Sequence, residues 1–202
     1  MPALLPHQPF YFLRHGQTDW NLQGRLQGHT DVPLNATGLD QAHAAADMFA
    51  DKSIDIIVSS PLIRALKTAA IVSERIDRPI YIESQLKERS FGAFEGQIMA
   101  ELKQSLGLQP HQRLSPYLPV DAEQWPDTCK RARTAFGNSL TKFAPRNVLF
   151  VAHAGLFDAL HEQLFGARLE PNHEPYLFEP AGQIWKVRPL IDTSQDRALA
   201  NI

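Results

Sequence analysis

Phe10-Tyr11-Phe12-Leu13-Arg14-His15-Gly16-Gln17-Thr18 is an apolar run that ends on an arginine, a histidine and a glycine. Such a run reads as a strand buried on both faces, the pattern of a central strand in a parallel sheet. A second run, Val148 to Ala152, ends in a similar way on His153-Ala154-Gly155. Open α/β sheets bind ligands in the crevice beyond the carboxyl ends of their strands. Two histidines carried there by two buried strands therefore point to one reaction centre. Spacing alone also allows a plainer reading, in which both are satisfied polar residues near the core.

Outward from these strands the chain alternates between strand and helix signals. Asn21 to Thr37, rich in Gly, Asn, Asp and Gln, reads as a long loop, and a loop of that length in a compact domain is usually functional. Leu39, Ala42, Ala46 and Phe49 then step along one helical stripe. Ile54 to Val58 is the next strand, and Ser60-Pro61 has the chemistry of a helix start, a capping hydroxyl followed by a proline. Leu62, Ala65, Leu66, Ala69, Val72 and Ile76 supply the buried face of that helix. Ile80 to Glu83 reads as a short strand and Ile98 to Leu106 as a modest helix. Pro110, Pro116 and Pro119 argue against regular structure between Gly107 and Trp125. A long amphipathic helix follows on Trp125, Cys129, Ala132, Phe136, Leu140 and Phe143, with Pro126 blurring its start. Leu156 to Phe165 is a helix closed by Gly166, and Tyr176 to Phe178 and Ile184 to Val187 are late strands.

This alternation predicts a three-layer α/β/α sandwich with a mostly parallel central sheet, in a single domain over 1–202. A right-handed crossover is expected between the first two strands. The last two, joined through Pro180 to Gln183, can form a hairpin and add a non-parallel strand. Residues 84–125 are too short and proline-broken for a second domain and are expected to cover the open edge of the crevice.

Composition narrows the function classes. A net charge of −2 offers no basic surplus for a nucleic-acid backbone, so no nucleic-acid partner is expected. One cysteine, Cys129, excludes an intrachain disulfide and a cysteine-held zinc, and weakly favours a reducing, cytoplasmic setting. Met1 to Pro9 lacks the pattern of a secretory signal, and no apolar run approaches the roughly 18 residues that span a bilayer, so no membrane partner is expected.

The residues at the strand ends suit phosphoryl chemistry. A neutral imidazole at His15 can attack phosphorus, dividing one displacement into two easier ones, provided a hydrogen bond to the other ring nitrogen sets its tautomer. Arg14 offers a rigid fork of donors for phosphate oxygens. Arg64 falls in the first turn of a helix, where positive charge opposes the dipole unless an anion is bound; taken alone it reads as a solvated helix residue. Glu88, ahead of the glycine-bracketed Gly92-Ala93-Phe94-Glu95-Gly96, can serve as general acid. Taken alone, it reads as a surface acid, and Glu95 is the second acid of the same loop.

In order along the chain, Arg14 to Thr18, Trp20-Asn21, Gly28 to Leu34, Gly38, Ser59 to Ala70, Glu88 to Gly96 and His153 together resemble the histidine phosphatase superfamily, phosphoglycerate-mutase-like branch. The resemblance covers Phe10 to about Ala159. It implies a phosphoglycerate-mutase-like fold and a phosphatase that hydrolyses small-molecule phosphomonoesters through a phosphohistidine on His15. It further implies that Arg14, Arg64 and His153 surround the phosphoryl group, that the Asn21 amide contacts it, and that Glu88 donates and accepts the proton. Gln27 and Gly28 match positions near the substrate, and Arg89 is a candidate contact for a carboxylate or second phosphate. No metal and no cofactor are implied. Departures are Gln17 where glutamate is often found, Ala154 after His153, and Glu123-Gln124-Trp125-Pro126 in place of a Gly-Glu-Ser segment.

Two alternatives use the same residues, a phosphoglycerate-type mutase and a non-catalytic phospholigand-binding protein. Mutases of the branch carry a longer insertion after the acid and a shielding C-terminal tail, whereas only Arg188 to Ile202 follow the last strand here. The more open pocket this predicts favours hydrolysis, since excluding water protects a phosphoenzyme. The expected partner is a small phosphorylated metabolite, with Phe91, Phe94, Tyr117, Trp125 and Arg113 as candidate wall residues; a homodimer is left open.

Overall fold

The computed structural model describes residues 5–169 and 173–190, so most of the tail that follows the last strand lies outside the described residues. Strand β1 (Phe10–Arg14) is followed by one turn of helix, α1 (Asp19–Leu22), and by α2 (Ala36–Met48). Next come β2 (Ile56–Ser59), α3 (Ile63–Ile76) and the short β3 (Ile80–Ile82). The excursion from 84 holds α4 (Met99–Ser105) and short 3-10 turns, and ends at α5 (Trp125–Phe143). Then follow β4 (Val148–Ala152), α6 (Ala154–Phe165), β5 (Tyr176–Ala181) and β6 (Ile184–Pro189).

The sheet runs β3-β2-β4-β1-β5-β6. Its first four strands are parallel, and the β5–β6 hairpin joins β1 antiparallel, as the turn-rich link Pro180 to Gln183 allows. The link from β1 to β2 skips the position that β4 later fills. Strand periodicity divides the core: Val148, Phe150 and Ala152 of β4 face one cluster, and Leu149 and Val151 face the other. The first cluster is closed by α5 and α6 through Phe136, Leu140, Leu156 and Phe157, with Phe136 and Phe150 ring centroids 4.5 Å apart. The second is closed by α2 and α3 through Ala42, Ala46, Ala65, Ala69 and Val72. These are the two helical layers of the expected sandwich. A third, smaller cluster of Leu26, Leu102, Leu108 and Leu114 lies in the first loop and the excursion, with Phe91 and Phe94 packed on it.

Helix starts differ from expectation. Asn35 caps α2 through Gly38 N–H (2.9 Å), so the long loop ends two residues early, and α1 interrupts its beginning. Ser60 does not cap α3. Leu62 keeps an extended backbone, so the helix begins at Ile63, whose N–H donates to Asp31 Oδ1 at 2.6 Å. The aspartate comes from the first loop, a contact invisible to local patterning. Pro126 sits in the first turn of α5, where a missing N–H removes no helical bond.

Candidate active site

The ladders of β4 extend past the strand ends and gather the site. His15 N–H donates to Ala152 O and Ser60 N–H to Val151 O, both at 3.0 Å, which brings them beside His153. The His15 and His153 ring centroids are 5.1 Å apart, and both residues are buried. Gly16 is needed for this approach: a Cβ there would lie 2.2 Å from Gly38 O, and one on Gly38 would lie 2.0 Å from Gln17 O. The start of α2 thus packs backbone to backbone against the turn that carries the histidine.

His15 Nδ1 lies 2.7 Å from Gly16 O. A carbonyl only accepts, so Nδ1 carries the proton and Nε2 keeps its lone pair. Burial, then the charges of Arg64 and Arg14, hold the His15 pKa well below its ordinary value, which keeps the ring neutral. His153 is held low by burial, Arg64 and His15, and its Nε2 is hydrogen-bonded with Ser60 Oγ at 2.8 Å. Its Nδ1 is buried and has no partner among the described residues.

Arg64 is fully buried near the start of α3. Its Nη1 and Nη2 donate to Thr30 O (2.9 Å) and Gly28 O (2.8 Å), which fixes the guanidinium and leaves Nε–H buried and, among the described residues, unpaired. The carbonyls come from the first loop, whose Gly28 takes φ +53° and leaves no room for a side chain beside Glu95. The conflict of an arginine with the positive end of a helix is real, and the buried donor beside His15 is what an anion would satisfy. Arg14 acts on His15, His153 and Arg64 through its charge and so belongs to the same cluster. Asn21 Oδ1 accepts from the Thr18 N–H and hydroxyl, both at 3.0 Å, which orients the amide N–H groups as what it can offer a ligand. Gln27 is buried with Oε1 unpaired.

Glu88 reaches the same crevice from the excursion. Its Oε1 accepts from Arg89 N–H (2.8 Å) and its Oε2 from Gly155 N–H (3.1 Å), in the first turn of α6. Glu95, the second acid of this loop, is held differently. Its carboxylate accepts five bonds, from the N–H groups of His29, Thr30 and Phe91 and the hydroxyls of Thr30 and Ser90, and so ties the first loop to the excursion. Arg89 is likewise largely occupied: Nε donates to Glu123 O (2.9 Å) and Nη1 to Ser115 Oγ (3.1 Å), leaving Nη2 buried and unpaired. Of the candidate wall residues, Phe91 and Phe94 pack inside the excursion and Trp125 against the main core, whereas Tyr117 is exposed.

Three supporting residues escape sequence reading. Thr68 Oγ1 accepts from Gly16 N–H (3.2 Å) and donates to Arg64 O (2.8 Å), joining the turn after His15 to the arginine. Ser60 was expected as a cap and instead orients His153. His173 Nδ1–H donates to His15 O at 3.0 Å. A threonine inside a helix carries no signal of such a role, and His173 lies 158 residues from its partner. Among the described residues no group of three or more His, Cys, Asp or Glu is placed to hold a metal ion, and no helix is long and apolar enough to cross a membrane.

A family model, histidine phosphatase superfamily (branch 1), matches residues 10–182. The uncharacterised phosphatase PhoE of Bacillus subtilis (strain 168) is 36% identical over 154 residues, covering 76% of each chain. Glucosyl-3-phosphoglycerate phosphatase of Mycolicibacterium vanbaalenii is 34% identical over 166 residues, covering 76% of this chain and 72% of its own. Among solved structures, mycobacterial glucosyl-3-phosphoglycerate phosphatase in complex with VO3 superposes with a TM-score of 0.77 at 28% identity, covering 90% of this chain and 98% of that one.

Proposed function

Since the chain belongs to the histidine phosphatase superfamily, branch 1, we propose that it is a phosphatase that hydrolyses small phosphorylated metabolites through a phosphohistidine on His15. One observation carries this reading: Nδ1–H of His15 is held by Gly16 O, so a neutral ring presents a bare Nε2 amid Arg14, Arg64 and His153. Relatives named as phosphatases support hydrolysis over phosphoryl transfer to a second hydroxyl.

In the first step the Nε2 lone pair forms a bond to phosphorus while the bond to the leaving oxygen breaks, and Glu88 gives that oxygen its proton. In the second, Glu88 takes a proton from water, the water oxygen bonds to phosphorus, and the P–N bond breaks to release inorganic phosphate. Arg14, Arg64, His153 and the Asn21 amide hold the three phosphoryl oxygens through both steps, the positioning and electrostatic work such transfer requires. Glu88 lies at the N-terminal turn of α6 with both oxygens held by backbone N–H groups, a fixed station for proton exchange. Gln27, Gly28 and Arg89 border the path of the leaving group. With arginine and histidine donors in place, the reaction proceeds without a metal ion. The reading places the enzyme in the cytoplasm, where a single thiol stays reduced.

Rapid-quench mass analysis with a phosphomonoester should show an acid-labile phosphoryl group on His15, formed equally after exhaustive chelation. His15→Ala should abolish both adduct and turnover without loss of fold. An adduct on another residue, near-normal turnover of the variant, or activity restored only by added Mg²⁺ or Zn²⁺ would each overturn the assignment.

A further inference from the structure

Arg131 lies on α5, where its charge is felt at His153, and all five of its N–H donors end on two short segments. Nε and Nη2 bind the two carboxylate oxygens of Glu123, each at 2.7 Å. Nη1 donates to Gln85 O (2.6 Å) and Lys87 O (2.7 Å), and Nη2 also donates to Glu88 O (3.3 Å). The guanidinium thus grips the backbone that carries Glu88 and, at the same time, the far end of the excursion. Glu123 closes the grip: its N–H donates to Ser90 O (3.1 Å) and its carbonyl accepts from Arg89 Nε (2.9 Å). The ion pair is mostly buried, with the side chains 20% and 17% exposed, so solvent screens it little.

Leu86 anchors the start of this segment in the main core and His29 Nε2 donates to Glu88 O at 2.8 Å, so the pair is the contact that spans both Gln85–Glu88 and Glu123. Among the described residues the Glu88 carboxyl itself is tied by two groups, Arg89 N–H and Gly155 N–H. We infer that the Arg131–Glu123 pair is the positioning element that holds Glu88 at proton-transfer distance from the leaving oxygen, acting through the backbone carbonyls of residues 85–88. This rests on the assignment of Glu88 as general acid. Only a five-donor planar fork can serve both the carboxylate and three carbonyls; lysine, with three donors on one nitrogen, cannot.

The test reads the phosphorylation step in wild type, Glu88→Gln, Arg131→Met, Arg131→Lys, Glu123→Gln and the Glu88→Gln/Arg131→Met double variant, each with an alkyl and an aryl phosphate. A displaced acid should slow phosphorylation by an alkyl phosphate roughly 10²-fold in Arg131→Met, since misplacements near 1 Å have effects of that order. The aryl phosphate, whose leaving group needs little protonation, should lose much less. Arg131→Lys and Glu123→Gln should show the same selectivity with smaller losses. Inhibition by vanadate should be little changed in Arg131→Met, Arg131→Lys and Glu123→Gln, because Arg14, Arg64, His153 and Asn21 are all retained. The double variant should be no slower than Glu88→Gln, the non-additivity of residues acting through one group. Equal loss with both substrates, weakened vanadate inhibition, or additive losses in the double variant would overturn the inference. If Arg131→Met does not fold, the same criteria apply to Glu123→Gln. A Glu88→Gln variant without alkyl selectivity would instead show that the acid assignment has failed.

Discussion

At the scale of single residues, the site works by keeping two histidines neutral. Burial first, then arginine charge, lowers the pKa of His15, and burial, Arg64 and His15 lower that of His153. In the unfolded chain each ring takes up a proton near pH 6.5. In the folded protein each does so only at lower pH, so below about 6.5 the unfolded state binds more protons and stability falls as pH falls. The loss levels off once the folded-state values are passed. His15→Gln removes one of these titrations, so its thermal midpoint should drop less steeply between pH 7 and 5 than that of the wild type. Equal slopes would mean that His15 is not buried in its neutral form. The nucleophile should likewise stay competent below pH 6.5, a range in which an exposed histidine would be largely protonated. His15, Arg14 and His153 were legible because each ends or adjoins an apolar run, and Arg64 because it contradicts the helix dipole. Thr68, His173 and Arg131 were not, since their roles arise from contacts between distant segments.

At the scale of elements, the acid proposed at Glu88 depends on how α6 begins. A Cβ on Gly155 would lie 2.5 Å from Glu88 Oε1, yet the position is helical and takes no positive φ. Alanine is a better helix former than glycine by up to about 1 kcal/mol. Gly155→Ala should therefore leave the melting temperature unchanged or slightly raised, while displacing Glu88 and slowing alkyl-phosphate phosphorylation by roughly 10²-fold. A variant with normal phosphorylation would show that Glu88 needs no close approach to α6. One with a sharply lowered midpoint would show that Gly155 is kept for folding. The strands were readable because apolar periodicity marks them directly. The start of α3 was not, because Asp31 caps it from another element while Ser60 is occupied with His153.

At the scale of the whole molecule, the site is assembled from two kinds of structure. His15 and His153 hang from a sheet buried under two helical layers, whereas Glu88 belongs to an excursion whose small core is Leu102, Leu108 and Leu114 with Leu26 of the first loop, flanked by Phe91, Phe94 and Leu118. The alternation of strands and helices announced the sandwich, but no periodicity could show that Leu108 and Leu114 of the proline-broken stretch join a packed cluster, because its members come from separate segments. The small cluster implies that the excursion opens more easily than the sheet. Leu102, 6% exposed, joins α4 to Leu26 of the first loop. Leu102→Ala should destabilise that unit by about 2 kcal/mol, the low end for a buried leucine. Hydrogen exchange should then quicken at α4 and its neighbours while the amides of β1 and β4 keep their opening free energies. Because the first loop that carries Leu26 also binds Glu95 through Thr30 and the Glu88 carbonyl through His29, phosphorylation should slow in parallel, with vanadate inhibition little changed. If the sheet amides lose protection together with α4, sheet and excursion form one cooperative unit and the acid is no more mobile than the nucleophile.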